Sequence, residues 1–187
     1  MRFAALALVA TLLAGPALAQ PEIGDPVPAL RGHLFSGEEF DLAQMHGQVV
    51  LVNFFSSYCK FCAYEIGNLE TFYEKHKDRG FSVIVLAIDD ITDRDRVERM
   101  LRNYQLPGTL VAELDENGFG ARYPTPTAFI IDRTGKLRHR MWGAKSPAHY
   151  HELVLCRCSA NSAPRFDRIV AQKIGSLDAA QRNPGSK

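Results

Sequence analysis

Two long apolar runs, Val49-Val50-Leu51-Val52-Asn53-Phe54-Phe55 and Phe81-Ser82-Val83-Ile84-Val85-Leu86-Ala87-Ile88, divide an otherwise mixed sequence. Runs this apolar and rich in β-branched residues read as strands buried on both faces. Between them the spacing turns helical: Cys62, Ile66, Leu69 and Tyr73 form one core-facing stripe, with Glu65 and Phe72 beside it. Gly67 within that helix costs on the order of 1 kcal/mol against Ala, which predicts a close backbone approach or a bend. Arg79-Gly80 ends the helix. After the second run, Val97, Met100, Leu101 and Tyr104 repeat at i, i+3, i+4 and i+7 behind Asp93 as N-cap, and Pro107-Gly108 stops the pattern. Strand, helix, strand, helix predicts a right-handed βαβ crossover in an α/β layer.

The flanking segments are shorter. Residues 21–28 form a Pro-punctuated lead-in, and residues 34–40 contain Ser36-Gly37, a turn between two extended pieces. Residues 41–45 predict one helical turn ended by Gly47. Residues 109–114 predict a short strand, and Asn117-Gly118 a turn. Two further strands, 127–131 and 137–142, are joined by Asp132-Arg133-Thr134-Gly135-Lys136, a hairpin loop with Gly. Ser146-Pro147 opens a last helix, with Ser as the cap and Pro at the first helical position.

The N-terminus changes the picture. Arg2, the apolar stretch 3–14, Gly15-Pro16 and the small-x-small Ala17-Leu18-Ala19 read as a secretory signal, residues 1–19, with cleavage after Ala19. An uncleaved anchor helix is the competing reading, although the apolar stretch is short for a span. No cysteine follows the cleavage point, so no lipid anchor is indicated. Residues 20–155 then suffice for one domain with a full core, and residues 156–187 form a tail. A net charge of +1 in 187 residues argues against a nucleic-acid partner, which needs a basic excess.

Four cysteines in an exported chain allow three pairings if all are bonded. Cys59 and Cys62 stand together where the first apolar run meets the helical spacing, so they open a helix. There the unpaired backbone N–H groups and the positive helix end favour a thiolate on Cys59. Two thiols with two residues between them can also close a small ring. These properties describe a reversible dithiol/disulfide site.

Three features in order carry a family resemblance: Val52-Asn53-Phe54-Phe55, the C-x-x-C-x-x-E of Cys59 to Glu65, and Thr125-Pro126-Thr127-Ala128-Phe129-Ile130-Ile131-Asp132-Arg133-Thr134-Gly135. Over roughly residues 23–155 the chain resembles the thioredoxin superfamily, and within it the exported TlpA/ResA/DsbE branch of thiol-disulfide oxidoreductases. The resemblance implies a thioredoxin-like α/β fold with a central mixed β-sheet flanked by helices. It implies that Cys59 is the exposed nucleophile, that Cys62 resolves the mixed disulfide, and that Pro126 is a cis-proline beside the pair. Glu65 is implied to tune the couple, with a solvated surface glutamate as the plain alternative. Tyr58, Lys60, Phe61 and Thr125 are the candidate substrate contacts. The partners implied are protein thiols and disulfides, with a membrane thiol donor. A periplasmic monomer without a cofactor is expected, acting as a reductant in cytochrome c maturation or copper-site assembly.

The sequence departs from the branch in places. Tyr58 stands where the family usually has Trp, Lys60-Phe61 where Pro is common, and Gly67 where a proline often lies. Lys60 favours a thiolate and Glu65 opposes it, so the direction of electron flow stays open. Cys156-Arg157-Cys158 is an extra pair that the family does not explain. A second reading is therefore a soft-metal module, binding copper or zinc through Cys59, Cys62, Cys156 and Cys158. No metal-type His spacing accompanies them; His149 and His151 lie two apart and do not share a helix face. Residues 166–174 carry the stripe of one short helix. A peroxidase of the same fold is disfavoured because its Pro-x-x-x-Thr-x-x-Cys pattern is missing around Cys59.

Overall fold

The structure is a computed structural model and describes residues 21–120 and 123–155. The signal segment, Cys156, Cys158 and the tail helix expected over 166–174 lie outside the described residues. The two apolar runs form β3 (Val49–Phe55) and β4 (Phe81–Ala87), which pair in parallel from Val49–Phe81 to Phe55–Ala87. Helix α1 (Lys60–His76) connects them, as the spacing predicts. The hairpin strands β7 (Thr127–Ile131) and β8 (Leu137–Trp142) add beyond β3, with β7 antiparallel to it. The main sheet therefore runs β5-β4-β3-β7-β8, where β5 (Gly108–Leu110) is parallel to β4. This mixed sheet flanked by helices is the thioredoxin-like α/β architecture. No helix among the described residues is long and apolar enough to cross a membrane.

Helix α2 (Arg94–Asn103) buries Val97 and Leu101 against β5, and the approach is close. A Cβ on Gly108 would lie 2.3 Å from the Val85 carbonyl oxygen and 2.6 Å from Leu101, so only glycine fits there. Helix α3 (Pro147–Leu155) opens at Ser146, which accepts the His149 N–H as its cap, and packs on α1. Each face of the main sheet covers its own core. Beneath α1 and α3 lie Leu51, Phe55, Cys62, Ile66, Leu69, Phe72 and Tyr150; on the other side lie Val50, Val52, Phe54, Phe119, Tyr123 and Phe129.

Five local readings are corrected. The first extended pair flanks residues 34–38 and is not contained in 34–40, as β1 (Leu30–His33) and β2 (Glu39–Asp41), because residues 34–38 are spent on the turn closed by Gly37 N–H to the Leu34 carbonyl. Residues 109–114 do not stay in one strand. After β5 a 3-10 turn over Val111–Glu113, held by the Arg94–Glu113 ion pair at 2.7 Å, sends the chain into β6 (Leu114–Asn117) of a small antiparallel sheet ordered β2-β1-β6. Asp93 stands before α2 without capping it, since its carboxylate accepts the Tyr58 hydroxyl instead. The buried stripe of α1 includes Glu65 and Phe72 fully, and Tyr73 only in part. Gly67 is under no strong steric demand: a Cβ there would meet Tyr104 at 3.7 Å, an ordinary contact.

Candidate active site

The site is built at the carboxyl end of β3, where the strand gives way to α1. Cys59 is the N-cap residue, with extended backbone (φ −86°, ψ 113°), and its sulfur accepts the Cys62 N–H at 3.2 Å. The Cys62 amide of the first turn thus faces Sγ of Cys59 while also reaching the Cys59 carbonyl at 3.1 Å, an arrangement at the helix start that favours negative charge on sulfur. Cys59 and Cys62 are joined as a disulfide with Cα atoms 5.2 Å apart. Cys59 is half-buried and reachable, whereas Cys62 is fully buried. That inequality assigns attack from outside to the first sulfur.

The loop before the pair is fixed from α2 and the end of β4. Ser57 donates its N–H to both carboxylate oxygens of Asp89 at 3.0 Å, and its hydroxyl binds the same carboxylate. Arg96 donates to the Ser57 carbonyl at 3.3 Å and lies 3.9 Å over the Tyr58 ring, while the Tyr58 hydroxyl donates to Asp93 at 2.6 Å. The hydrogen bond to Asp93 holds the Tyr58 phenol above its ordinary pKa. Tyr58 is consequently a braced rim residue.

The Thr125–Pro126 peptide bond is cis, and the Thr125 carbonyl oxygen lies 3.8 Å from Sγ of Cys59. Pairing of β7 with β3 puts it there, since Phe54 faces Thr127 across the two strands. Gly143 N–H donates to the Pro126 carbonyl at 2.9 Å, which sets Trp142 beside the proline. Around the pair, Tyr58, Phe61, Tyr64 and Trp142 are exposed aromatics, Phe61 at 74% and Trp142 at 71%. Lys60 is exposed as well.

Beneath Cys62 the site becomes polar. Glu65, three residues further along the same helix face, is 1% exposed, which excludes the solvated-surface reading. Asn53 Nδ2 donates to Glu65 Oε2 at 3.1 Å, and the Tyr150 hydroxyl donates to Oε1 at 2.8 Å. Burial pushes the carboxyl above its usual range; the Tyr150 and Asn53 hydrogen bonds and the nearby Lys145 charge pull against it. Burial lowers the Lys145 ammonium, which donates to the Trp142 and Gly143 carbonyls at 2.5 and 2.6 Å. The Lys145 carbonyl accepts Asn68 Nδ2 at 2.8 Å, tying the turn before α3 to α1.

Cys59, Cys62, Thr125 and Pro126 thus meet at one point, with Glu65 buried three residues beyond Cys62 on α1 and Tyr58, Lys60 and Phe61 exposed at the helix start. Sequence reasoning missed Asn53, Asp89, Trp142 and Tyr150. Asn53 had a signal, being a polar residue inside an apolar strand. Trp142 had a weaker one, an outward aromatic at a strand end. Tyr150 and Asp89 had none, because each depends on a partner far along the chain. Among the described residues there is no group of three or more His, Cys, Asp or Glu placed to hold a metal.

Comparison with known proteins agrees with this geometry. The sequence pattern that defines the AhpC/TSA family matches residues 23–140. Thiol-disulfide oxidoreductase ResA of Bacillus cereus (strain ATCC 10987 / NRS 248) is 29% identical over 136 residues, covering 70% of this chain and 76% of the relative. The ResA of Bacillus anthracis is 28% identical over 127 residues, covering 67% and 72%. Among solved structures, a thiol:disulfide interchange protein of the thioredoxin family from Chlorobium tepidum TLS superposes with a TM-score of 0.63 at 23% identity, covering 74% of this chain and 99% of its own. StoA from Bacillus subtilis superposes with a TM-score of 0.55 at 19% identity, covering 69% and 98%. At these identities the structural likeness speaks for the fold.

Proposed function

The chain belongs to the AhpC/TSA family and is a ResA/DsbE-like thiol-disulfide oxidoreductase of the thioredoxin superfamily; from that premise we propose that it works as an exported, periplasmic reductant of protein disulfides. Thiol-disulfide exchange at Cys59 and Cys62 is the activity itself; direction, substrates and location are what we infer. The observation that carries the direction is the buried carboxylate under the resolving cysteine. A charge there disfavours thiolates, while the uncharged disulfide is unaffected, so the oxidised form is favoured and the dithiol becomes a stronger electron donor. Lys60 pulls the other way from an exposed position, where water and salt screen it. The buried charge prevails.

In the reducing direction the Cys59 thiolate attacks a substrate disulfide, and the electron pair of that bond leaves on the substrate's second sulfur. Cys62 then gives its proton to the Glu65 carboxylate and attacks Sγ of Cys59, releasing the substrate's first sulfur as a thiolate and closing the Cys59–Cys62 disulfide. Recharging reverses the chemistry: a donor thiolate opens the ring at Cys59, the S–S electron pair leaves on Cys62, and the Glu65 carboxyl returns the proton; the donor's second thiolate then attacks the donor sulfur of the mixed disulfide, closing the donor's own disulfide and releasing Cys59 as a thiolate. The Thr125–Pro126 backbone and the Phe61 and Trp142 rings would receive the extended substrate segment. Cysteines of an apocytochrome c or of a copper-site protein, recharged by a membrane thiol donor, are the substrates we infer, by likeness to the branch.

Trapping tests this reading. With Cys62→Ala, mixed disulfides on Cys59 should accumulate with exported cysteine proteins, and wild-type protein isolated directly under acid quench should be mostly reduced. A wild-type pool that is mostly disulfide, or a Cys62→Ala trap that captures no exported protein through a client disulfide, would overturn the reductant assignment.

A further inference from the structure

Tyr150 is among the largest fully buried side chains of the described residues, and its hydroxyl is spent on one acceptor, the Glu65 carboxylate 85 positions earlier. Its ring packs against Phe72 at 5.7 Å between centroids, so the phenol could have been a phenyl at no loss of packing. A hydroxyl placed in a hydrocarbon layer without a partner is costly; with a charged partner it makes a stronger bond than a neutral pair would. The groups facing Glu65 are Tyr150 from α3, Lys145 from the turn before α3 and Asn53 from β3, and Cys62 stands three residues earlier on its own helix. Asn53 keeps its Oδ1 buried without a donor among the described residues, so Asn53 serves Glu65 through Nδ2 alone.

We propose that Tyr150 is a positioning residue for the redox pair: its hydroxyl orients the Glu65 carboxylate and favours its charged form, so the seating of α3 sets how readily Glu65 exchanges a proton with Cys62. The last described helix becomes part of the redox site without touching sulfur or substrate. This rests on the reading of Glu65 as the proton partner of Cys62 and adds what controls that partner. The turn that leads into α3 strengthens the arrangement. It is tied to α1 through Asn68 and brings the Lys145 cation to the same carboxylate, so one docked unit supplies both a donor and a charge.

The experiment is the pH profile of Cys59 alkylation in the reduced protein, together with the pH dependence of the reduction potential, for wild type, Tyr150→Phe, Glu65→Gln and the double variant. Removing the hydroxyl should raise the proton affinity of Glu65 about tenfold, moving its inflection up by about one pH unit. The double variant should match Glu65→Gln with no further shift. A Tyr150→Phe profile that superimposes on wild type, while Glu65→Gln moves, overturns this proposal and leaves the Glu65 reading standing. An equal Tyr150→Phe shift in the Glu65→Gln background also overturns it, since the hydroxyl would then act by another route. A Glu65→Gln profile identical to wild type overturns the Glu65 reading and this proposal with it. A fluorinated tyrosine at position 150 keeps the hydroxyl and makes it a stronger donor. It should move the inflection to lower pH, and no movement would again count against the proposal.

Discussion

Val50, Val52 and Phe54 enter one layer from β3, and Leu51, Asn53 and Phe55 enter the other. The first layer is hydrocarbon and rings: Phe54 lies 5.1 Å from Tyr123 and 5.9 Å from Phe129, edge or tilted, and the Tyr123 hydroxyl donates to the Phe119 carbonyl. The second layer holds a carboxylate, an amide, a phenol and a disulfide among its aliphatic residues. Aromatic pairs of the first kind add about 0.5–1.5 kcal/mol each beyond burial. A buried carboxylate of the second kind is held against its desolvation cost. The polar groups of the site are therefore kept to one face of the sheet, which has aromatic pairs of its own such as Phe72–Phe81 at 5.1 Å, and β3 serves both faces.

Substitutions on the two faces should fail differently. The largest effect on folding is expected for Phe54→Ala, which opens a cavity in the aromatic layer and should cost about 3–5 kcal/mol in urea unfolding. The reduction potential of the molecules still folded should match wild type. A shifted potential would mean that the two faces are coupled through β3.

Glu65→Gln should show an effect that depends on pH. Burial places the folded-state pKa of Glu65 above its ordinary value near 4.5, so the folded protein holds this proton more tightly than the unfolded chain does. Below the unfolded value the group costs nothing extra; as pH rises through the folded value the cost of the buried charge appears in full. Oxidised Glu65→Gln should therefore gain on oxidised wild type as pH rises above about 4.5, with a slope no steeper than ~1.4 kcal/mol per pH unit, and then level off. Parallel stability curves from pH 4 to 8 would show that the carboxylate is not desolvated in solution.

The smallest effect on stability belongs to the rim. Phe61→Ser and Trp142→Ala should each change unfolding by no more than about 0.5 kcal/mol, because the rings are mostly in water. Exchange with a small dithiol should be unaffected, and exchange with a disulfide-bonded protein should slow several-fold. Equal slowing with both exchange partners would place these rings in the chemistry and not in docking.

Much of this was legible in the chain. The apolar runs announced β3 and β4, the helical spacing announced α1 and α2, and Gly135 in its loop announced the hairpin. The readings that failed were local ones, at element ends and at Gly67 and the edge of the buried stripe within α1. Asp93 had the right residue type and position for a cap, yet a phenol from another loop took its carboxylate. Residues 109–114 had one composition but two destinations, parted by the 3-10 turn over Val111–Glu113 at which Glu113 pairs with Arg94. The site was half legible. Cys59 and Cys62 follow from their spacing at a strand-to-helix junction, and Pro126 from its motif. Glu65 was visible as an acidic residue beside the stripe, although its full burial was not.

By itself, then, the order of residues determined where the sulfur pair sits and that a helix tip would hold it, because both follow from contacts within a few positions. Only the tertiary structure decided what surrounds that pair. The Thr125 carbonyl reaches Cys59 across 66 positions and the Tyr150 hydroxyl reaches Glu65 across 85, distances over which no periodicity operates. Those meetings depend on β7 adding beside β3 and on α3 folding back over α1, and they bring together the groups that the proposed proton transfer requires.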